Sequence, residues 1–430
     1  MSKRTRRRAI LAGAGSLATL GVAPDWRARA ATVSAVPATG EASADLAPFD
    51  ELMRGFVRDQ QIPGAQLAIS SQERLVYARG FGVADRGQQR PVQPTDLFRI
   101  ASISKPITAV ATLQLIERNK LEFATRVWEL LGLPEPADAR CKRITVRHLL
   151  QHTGGWDRDK SFDPMFESTR IAKALGVAQP VTPKDIIRYM ATQPLDFEPG
   201  TRDAYSNFGY CLLGRVIEHV TGAAYEEIVQ HEVLAPLGIR RMRLGRTAQA
   251  KRAATEVTYY VERDHRGNPV PGLTRTGVPL PYGAWSLEAM DSHGGWLASA
   301  PDLVRFASAF DVPAACRILK PASIAAMFAR PGGRAGFAAN GLPRQVYYAC
   351  GWNVRTLGRD KRTNTWHTGH LDGTSTLLVR RYDGRNWAAL FNTRTTPGGE
   401  RVAHAIDPLL HRAADRVRRW PDVDLFRTSL

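Results

Sequence analysis

The chain has 430 residues, of which 43% are hydrophobic and 23% are charged, a composition that allows a sizeable core and excludes a disordered or collagen-like protein. Its formal net charge is +18, and the first thirty residues, with seven Lys or Arg and one Asp, leave +12 for the rest. That charge favours an anionic surface such as the cell envelope, whereas scattered arginines without a recognisable motif argue against nucleic acid.

The N-terminus is typical of an export signal. Arg6-Arg7-Arg8 precedes an apolar run that ends near Ala23, and Ala28-Arg29-Ala30 has the small-x-small pattern of a cleavage site. The arginine pair resembles a twin-arginine signal, and the run is too short to span a bilayer. We therefore predict an export signal at 1–30 and a linker at 31–44. The remaining chain, which has no other membrane-spanning stretch, is expected to be periplasmic or secreted.

The first part of the folded region predicts an α/β layer. Apolar residues at helical spacing indicate an amphipathic helix over 45–60, and residues 65–69 and 75–78 are typical of two short strands joined by a turn. Residues 102–119 then form an apolar helix that we expect to be buried on all sides. Pro106 is tolerated only in the first turn of a helix, which places the helix start near Ser102.

The rest of the chain is predicted to be helical first and then strand-rich. Three helices are clearest in the middle section, at 146–152, 183–193 and 208–221. Strands at 374–381 and 387–392 flank the tight-turn dipeptide Asp383-Gly384, and a closing helix at 403–417 contains Pro408 as a kink or restart. We predict an α/β subdomain formed by 45–120 and 285–415, with a helical subdomain at 121–284, together one catalytic domain.

Ser102-Ile103-Ser104-Lys105 is the central chemical signal. Residues three apart share a helix face, so Lys105 can lie beside the Ser102 hydroxyl. A lysine that is desolvated at a helix start loses proton affinity and can act as a base. Taken alone, a Ser-x-x-Lys pair is a weak motif.

Tyr205-Ser206-Asn207 and His367-Thr368-Gly369 are the second and third signals. Side chains two apart on extended backbone share a face, so Tyr205 and Asn207 can face one pocket. A phenol near an ammonium gains acidity, which would let Tyr205 exchange protons with Ser102. Gly369 would allow close approach of a substrate. A second His-Thr-Gly, at 152–154, ends a predicted helix and is interpreted as structural.

These motifs, in this order, resemble the serine β-lactamase and penicillin-binding protein family, in the branch of class C β-lactamases, D-alanyl-D-alanine carboxypeptidases and related esterases. The resemblance covers roughly 45–412. Besides the three motifs it rests on Ile62-Pro63-Gly64-Ala65, Phe98 to Pro106, Leu149 to Gly155, Pro199-Gly200 and Gly294 to Ser299. It implies a β-lactamase/transpeptidase-like fold of the α/β (α+β) class, with an antiparallel sheet flanked by helices and a mostly helical insertion.

The resemblance also implies roles for the motif residues. Ser102 would form an acyl-enzyme, Lys105 and Tyr205 would move the proton, and Asn207 would bind the substrate amide. The backbone N–H groups of Ser102 and His370 would form the oxyanion hole, with His367, Thr368 and Gly369 lining the substrate site. Many β-lactamases have Lys at the position of His367. A histidine is only partly protonated near neutral pH, which favours a peptidase, amidase or esterase over a β-lactamase.

The sequence leaves other points open. The leading hypothesis is a serine hydrolase that acts on an ester or amide, such as a small ester or a D-Ala-D-Ala-type peptide. A class C-like β-lactamase and a non-catalytic penicillin-binding or envelope-binding sensor are the alternatives. No cofactor or metal is implied, and Cys141, Cys211, Cys316 and Cys350 allow either disulfides or free thiols. We expect 156–199 and 257–285 to supply the pocket walls, and they vary too much to identify the substrate.

Overall fold

The computed structural model describes residues 35–261, 266–267, 278–358 and 362–427. The predicted export signal at 1–30 and the first four residues of the predicted linker lie outside the described residues. The described residues from Val36 onward form one compact unit. This unit contains both predicted subdomains, and the boundary between them stays a prediction.

The strands of the described chain form one large antiparallel sheet and two small ones. The strands are β1 Ala38–Thr39, β2 Gly64–Ser71, β3 Arg74–Asp85, β4 Arg90–Pro91, β5 Phe98–Arg99, β6 Arg243–Leu244, β7 Arg266–Gly267, β8 Val278–Pro279, β9 Trp296–Ala298, β10 Val346–Tyr348, β11 Asn353–Leu357, β12 Arg362–Leu371, β13 Thr374–Arg380 and β14 Arg385–Phe391. The large sheet has the order β1-β3-β2-β14-β13-β12-β11-β10, and β4 pairs with β3. N-terminal and C-terminal strands thus meet where β2 pairs with β14.

The helices are mostly short and lie between β5 and β10. They are α1 Ala47–Asp59, α2 Ser104–Glu117, α3 Val127–Leu130, α4 Val146–Leu150, α5 Ser168–Leu175, α6 Pro183–Met190, α7 Asn207–Thr221, α8 Tyr225–Ile228, α9 Asp291–Gly294, α10 Ala300–Ser308, α11 Pro321–Phe328, α12 Gly333–Gly336 and α13 Val402–Arg416. The three helices predicted in the middle section correspond to α4, α6 and α7.

Helices cover both faces of the central strands. Alternate residues of a strand point to opposite faces. On β2, Leu67 and Ile69 pack with α1 and α13 in one core, whereas Ala68 belongs to the larger core on the other face. The predicted fold class, an antiparallel sheet flanked by helices with a helical insertion, is therefore confirmed.

The helix α2 lies in the larger core, as the sequence predicts. From Ser104 to Leu115 every side chain is buried. A short 3-10 turn, Ala101–Ile103, precedes the helix, so Ser102 lies one turn before the regular α-helix begins. Pro106 lies in the first turn, where its missing N–H leaves no intrahelical bond unmade.

The closing helix contains Pro408, at which the sequence predicts a kink or a restart. The helix α13 runs from Val402 to Arg416 without a restart. Pro408 and His404 are both exposed, so the carbonyl that loses its helical partner can bond to water.

Two further features concern membrane-spanning helices and the cysteines. Among the described residues, we find no helix with the length and apolar character needed to cross a membrane. Cys141, Cys211, Cys316 and Cys350 all lie in the described part of the chain, and each is a free thiol.

Candidate active site

Ser102 lies on a turn that is held tightly against the sheet. Ala101, just before it, has a φ of +48°, a left-handed conformation that is uncommon for a residue with a Cβ. At Gly369 of β12 an added Cβ would lie 2.1 Å from the carbonyl oxygen of Ile100. Glycine is therefore required at 369 so that the strand can approach the serine turn.

Lys105 reaches Ser102 from within the core. Its side chain is fully buried. Its Nζ lies 3.1 Å from Ser102 Oγ, 2.7 Å from Asn207 Oδ1 and 2.9 Å from the carbonyl oxygen of His293. Burial, reinforced by the nearby charge of Arg158, lowers the pKa of Lys105 well below its usual value. Burial thus favours the neutral amine, which is the form that a base requires.

Tyr205, in the loop before α7, also contacts Ser102 Oγ. Its hydroxyl donates a hydrogen bond to Ser102 Oγ at 2.7 Å. Burial raises the pKa of Tyr205, so the predicted gain in acidity is wrong. The physical reason is desolvation, which disfavours the phenolate and outweighs the hydrogen bond to Ser102 and the charge of Arg158. Tyr205 is therefore a proton donor to Ser102 in the resting site.

Asn207 is fixed from both ends of its amide. Its Oδ1 accepts from Lys105, and its Nδ2 donates to Asp163 Oδ2 at 2.6 Å. A carboxylate can only accept, so Asp163 determines which way the amide faces. Asp163 also accepts from the backbone N–H of Met165 at the start of a 3-10 turn. One amide hydrogen of Asn207 remains for a substrate.

His367 is buried and neutral rather than partly charged. Its Nδ1 lies 2.7 Å from the carbonyl oxygen of Thr368, and its Nε2 lies 3.1 Å from the hydroxyl of Tyr348. Burial lowers the pKa of His367 to about 3. The strand β11 pairs with β12 only as far as Trp366, so within the described chain no strand pairs with residues 367–371 on that side. Thr368 and His370 line the cavity together with His367.

The predicted residues meet at a cavity of about 510 Å³. Ser102, Tyr205, Asn207, His367, Thr368 and His370 line it, while Lys105 lies behind Ser102, and Gly369 packs against the serine turn. The loop after α4 contributes Arg158, Asp159, Asp163 and Phe166, within the predicted wall segment 156–199. Arg394 and Arg401 line the far side.

Sequence reasoning missed several of these residues. Asp163 accepts a hydrogen bond from Asn207, and the carbonyl oxygen of His293 accepts one from Lys105. The hydroxyl of Tyr348 is hydrogen-bonded to His367. None of these three residues belongs to a motif. The first His-Thr-Gly copy also contributes. His152 has a φ of +57°, and its ring lies 4.4 Å from that of Tyr205. Its Nδ1 accepts from the N–H of Ser206, and its carbonyl accepts from the N–H of Ala204. It therefore supports the tyrosine loop from outside the cavity.

The described residues offer no metal centre. No group of three or more His, Cys, Asp and Glu side chains in that part of the chain is placed to hold an ion. The four histidines near Ser102 do not form such a group, and burial lowers the pKa of each. They are His152, His293, His367 and His370.

Comparison with known proteins identifies relatives over most of the chain. The family model described as Beta-lactamase matches residues 49–411. Esterase EstB of Burkholderia gladioli is 31% identical over 273 residues, 61% of this chain and 64% of the esterase. Penicillin-binding protein 4 of Amycolatopsis lactamdurans is 27% identical over 289 residues, 66% of this chain and 69% of that protein. The match thus spans just under two thirds of the esterase.

Solved structures share the fold. The structure of EstCE1, a hydrolase with promiscuous acyltransferase activity, aligns with a TM-score of 0.65 and 24% identity. The alignment covers 87% of this chain and 99% of that one. At this level of identity the likeness concerns the fold, including the sheet and the helices on its faces.

Proposed function

The chain belongs to the beta-lactamase family of serine hydrolases, and from that premise we propose that it is an acyl-transfer hydrolase that forms an acyl-enzyme on Ser102. The proposal depends on one observation. Ser102 Oγ lies between the Lys105 amine, at 3.1 Å, and the Tyr205 hydroxyl, at 2.7 Å.

The three partners of Lys105 Nζ are oxygen acceptors, which suit the three N–H groups of an ammonium, but burial favours the neutral amine. A neutral amine has two N–H donors and one lone pair. Asn207 Oδ1 and the carbonyl oxygen of His293 are acceptors and take the two N–H groups. The lone pair is left for the proton of Ser102, while Tyr205 donates to the same serine oxygen. This arrangement sets the direction of proton transfer before substrate arrives.

The reaction follows from these positions. Ser102 Oγ bonds to the substrate carbonyl carbon as its proton passes to Lys105, and the carbonyl oxygen becomes an oxyanion bound by the backbone N–H groups of Ser102 and His370. When the tetrahedral intermediate collapses, the bond to the alcohol or amine breaks, and that group takes a proton through Tyr205, which regains one from Lys105. Water then attacks the acyl-enzyme by the same steps in reverse and releases the acid.

Esters and amides are the proposed substrates, including small esters and D-Ala-D-Ala-type peptides. A neutral His367 gives no fixed charge at the position where many β-lactamases have Lys, which argues against the class C-like β-lactamase alternative. A non-catalytic penicillin-binding or envelope-binding sensor would need a pocket but no buried neutral lysine. The complete proton circuit at Ser102 therefore favours an enzyme.

Covalent labelling tests the proposal. We expect a fluorescent fluorophosphonate or a fluorescent β-lactam to label the protein, and Ser102→Ala to lose the label. Ser161→Ala, which changes an exposed serine away from the cavity, is the matched control and should label normally. Labelling that survives Ser102→Ala would place the nucleophile elsewhere, and a protein that reacts with neither probe would support the sensor. A chromogenic cephalosporin compared with a short-chain nitrophenyl ester separates lactamase from esterase.

We also propose that the protein is exported to the periplasm or secreted and can associate with an anionic cell-envelope surface. The arginine pair and short apolar run of the leader support export, and the charge of +12 after the leader supports the association. Cell fractionation tests the first point, since replacement of Arg6 and Arg7 by lysines should retain the protein in the cytoplasm. Release from envelopes by added salt tests the second.

A further inference from the structure

Asn353 has a side-chain amide that faces the catalytic cavity and has no hydrogen-bond partner within the described chain. The residue begins β11, is partly exposed and lines the cavity that contains Ser102. The other asparagine of the cavity, Asn207, differs in this respect, because its amide is bonded to Lys105 and to Asp163. The amide of Asn353 is therefore available to a bound molecule, and Asn353 belongs to none of the catalytic motifs.

The register of the sheet places Asn353 where β12 loses its partner strand. Asn353 is paired with Tyr348 on β10 and with Trp366 on β12. From residue 367 to residue 371, no strand of the described chain pairs with β12 on that side. Neighbouring strands lie about 4.8 Å apart, so the side chain of Asn353 can contact a molecule that lies beside the first residues of this open edge.

His367, the first residue of the open edge, has no ring nitrogen left for a substrate. The carbonyl oxygen of Thr368 can only accept, so Nδ1 carries the proton and donates to that oxygen at 2.7 Å. Burial lowers the pKa of His367 to about 3, and in the neutral ring Nε2 is an acceptor. The hydroxyl of Tyr348, 3.1 Å away, donates to Nε2. Neither His367 nor Tyr348 therefore has a hydrogen to donate to a substrate.

This part of the cavity wall consists of uncharged hydrogen-bonding groups. Tyr348, Asn353, His367 and Thr368 form it, and the free groups within the described chain are the Thr368 hydroxyl and the Asn353 amide. A carboxamide presents a carbonyl acceptor and N–H donors side by side, so it can form two hydrogen bonds with another amide. A substrate group that lacks the N–H would leave the Asn353 oxygen without a donor.

Resting on the proposed function, we infer that Asn353 is a specificity-determining residue that binds an uncharged, non-reacting amide group of the substrate. The Oδ1 of Asn353 accepts from the N–H of that group, and its Nδ2 donates to the carbonyl oxygen. The substrate is then an ester or amide that carries a second amide, as an N-acylated chain does.

Matched pairs of esters that differ only by N–H against CH2 test the inference. With the amide on the acyl side, the para-nitrophenyl ester of N-acetyl-γ-aminobutyric acid is compared with its analogue in which CH2 replaces the N–H. With the amide on the leaving group, para-acetamidophenyl acetate is compared with its corresponding CH2 analogue. Each kcat/KM is divided by the rate constant of hydroxide-catalysed hydrolysis, which corrects for intrinsic reactivity. We expect the amide of at least one pair to be preferred by about two- to tenfold, the range for one hydrogen bond.

The variants identify the residue responsible. Asn353→Leu should abolish the preference, whereas Asn353→Asp, whose carboxylate still accepts from the N–H, should keep it. Asn340→Leu is the matched control, because Asn340 is exposed and does not line the cavity. If Asn353 were only structural, Asn353→Leu would lower kcat/KM for both members of a pair equally and keep the preference, and that result would overturn the inference.

The outcome is separable from that of the proposed function. In Ser102→Ala protein, which lacks the proposed nucleophile, saturation-transfer NMR measures binding of the amide esters and their CH2 analogues directly. Tighter binding of an amide ester, lost in Asn353→Leu, supports the inference even if hydrolysis is never seen. Equal binding and equal corrected kcat/KM within both pairs would overturn it while leaving Ser102 chemistry intact.

Discussion

At the scale of single residues, Lys105 and Tyr205 are not interchangeable, because one accepts a proton and the other donates one. Both contact Ser102 Oγ; Lys105 is fully buried, and Tyr205 is half-buried in the cavity wall. Burial disfavours the charged form of each, which deprotonates the lysine and keeps the phenol protonated. The site thus contains one acceptor and one donor for the same oxygen.

These protonation states of Lys105 and Tyr205 predict a particular pH dependence. With a neutral ester, kcat/KM should rise with pH up to the pKa of Lys105 and then level off, because only the free amine accepts the serine proton. Burial and the charge of Arg158 lower the pKa of Lys105, so the plateau should begin at a lower pH than it would for an exposed lysine. Arg158→Gln removes a repelling cation, stabilises the ammonium form and should move the rising limb to higher pH.

The control for that profile is Arg202→Gln, because Arg202 is paired with Asp157 and does not line the cavity; its rise in kcat/KM should stay at the same pH. If the pH at which kcat/KM rises is unchanged or lower in Arg158→Gln, Lys105 is not the base. Phosphonylation of Ser102 by a fluorophosphonate, which forms the O–P bond and releases fluoride, gives a second readout that does not depend on product release.

Motif spacing could predict some of the site. Ser102 and Lys105 are three residues apart, so helix geometry alone places them together. Asp163 and Asn207 are 44 residues apart and meet only through the loop after α4, for which the sequence carries no periodic signal. Arg158 could not be predicted either, because it lies in the same loop. The effect of burial on Tyr205 could not be foreseen either, because it depends on what surrounds the ring.

At the scale of elements, the contact between β12 and the serine turn controls the site. Gly369 faces the carbonyl of Ile100 so closely that no side chain fits between them. Thr376 on the neighbouring strand β13 also donates to that carbonyl at 2.9 Å. The turn and the sheet therefore hold each other in place.

Gly369→Ala should displace the strand from the turn. A misplacement of about 1 Å at reacting atoms can reduce the rate by about a hundredfold, so we expect at least that loss of acylation rate, with a lower melting temperature. Gly55→Ala in α1 is the matched control. Nothing lies within 4 Å of its added Cβ, and a helical alanine should stabilise by about 1 kcal/mol with normal activity. Normal labelling of Gly369→Ala would contradict the strand-to-turn argument.

Elements with strong periodicity were predictable and short ones were not. The sequence indicated α1, α2, α7 and the β13–β14 hairpin because their apolar patterns run for many residues. The two-residue strands β1 and β4 and the 3-10 turn at Ala101–Ile103 have no pattern of their own. They form because neighbouring strands and helices hold them there, which is tertiary context rather than local preference.

At the scale of the whole molecule, buried neutral histidines tie stability to pH. His152, His293, His367 and His370 surround the site, and burial lowers the pKa of each, to about 3 for His367 and about 2 for His370. An unfolded histidine titrates near pH 6.5, so between these values the unfolded chain binds the extra proton. The free energy of unfolding therefore decreases as the pH falls below about 6.5.

We expect each such histidine to contribute about 1.4 kcal/mol per pH unit to that decrease. His367→Gln should reduce the slope by that amount between about pH 6 and pH 4, as measured by urea unfolding at a series of pH values. His219→Gln, on an exposed position of α7, is the control and should leave the slope unchanged. An unaltered slope in His367→Gln would show that His367 is protonated in the folded protein.

The burial of α2 has a consequence for how this protein loses function. The reactive serine stands at the start of a helix whose side chains are enclosed on every side from Ser104 to Leu115. Fraying such a segment exposes the main core, so its amide hydrogens should exchange with solvent only through global opening. Heat inactivation and loss of the native state should then follow a single curve. The activity that remains would therefore measure the fraction of protein that is still folded.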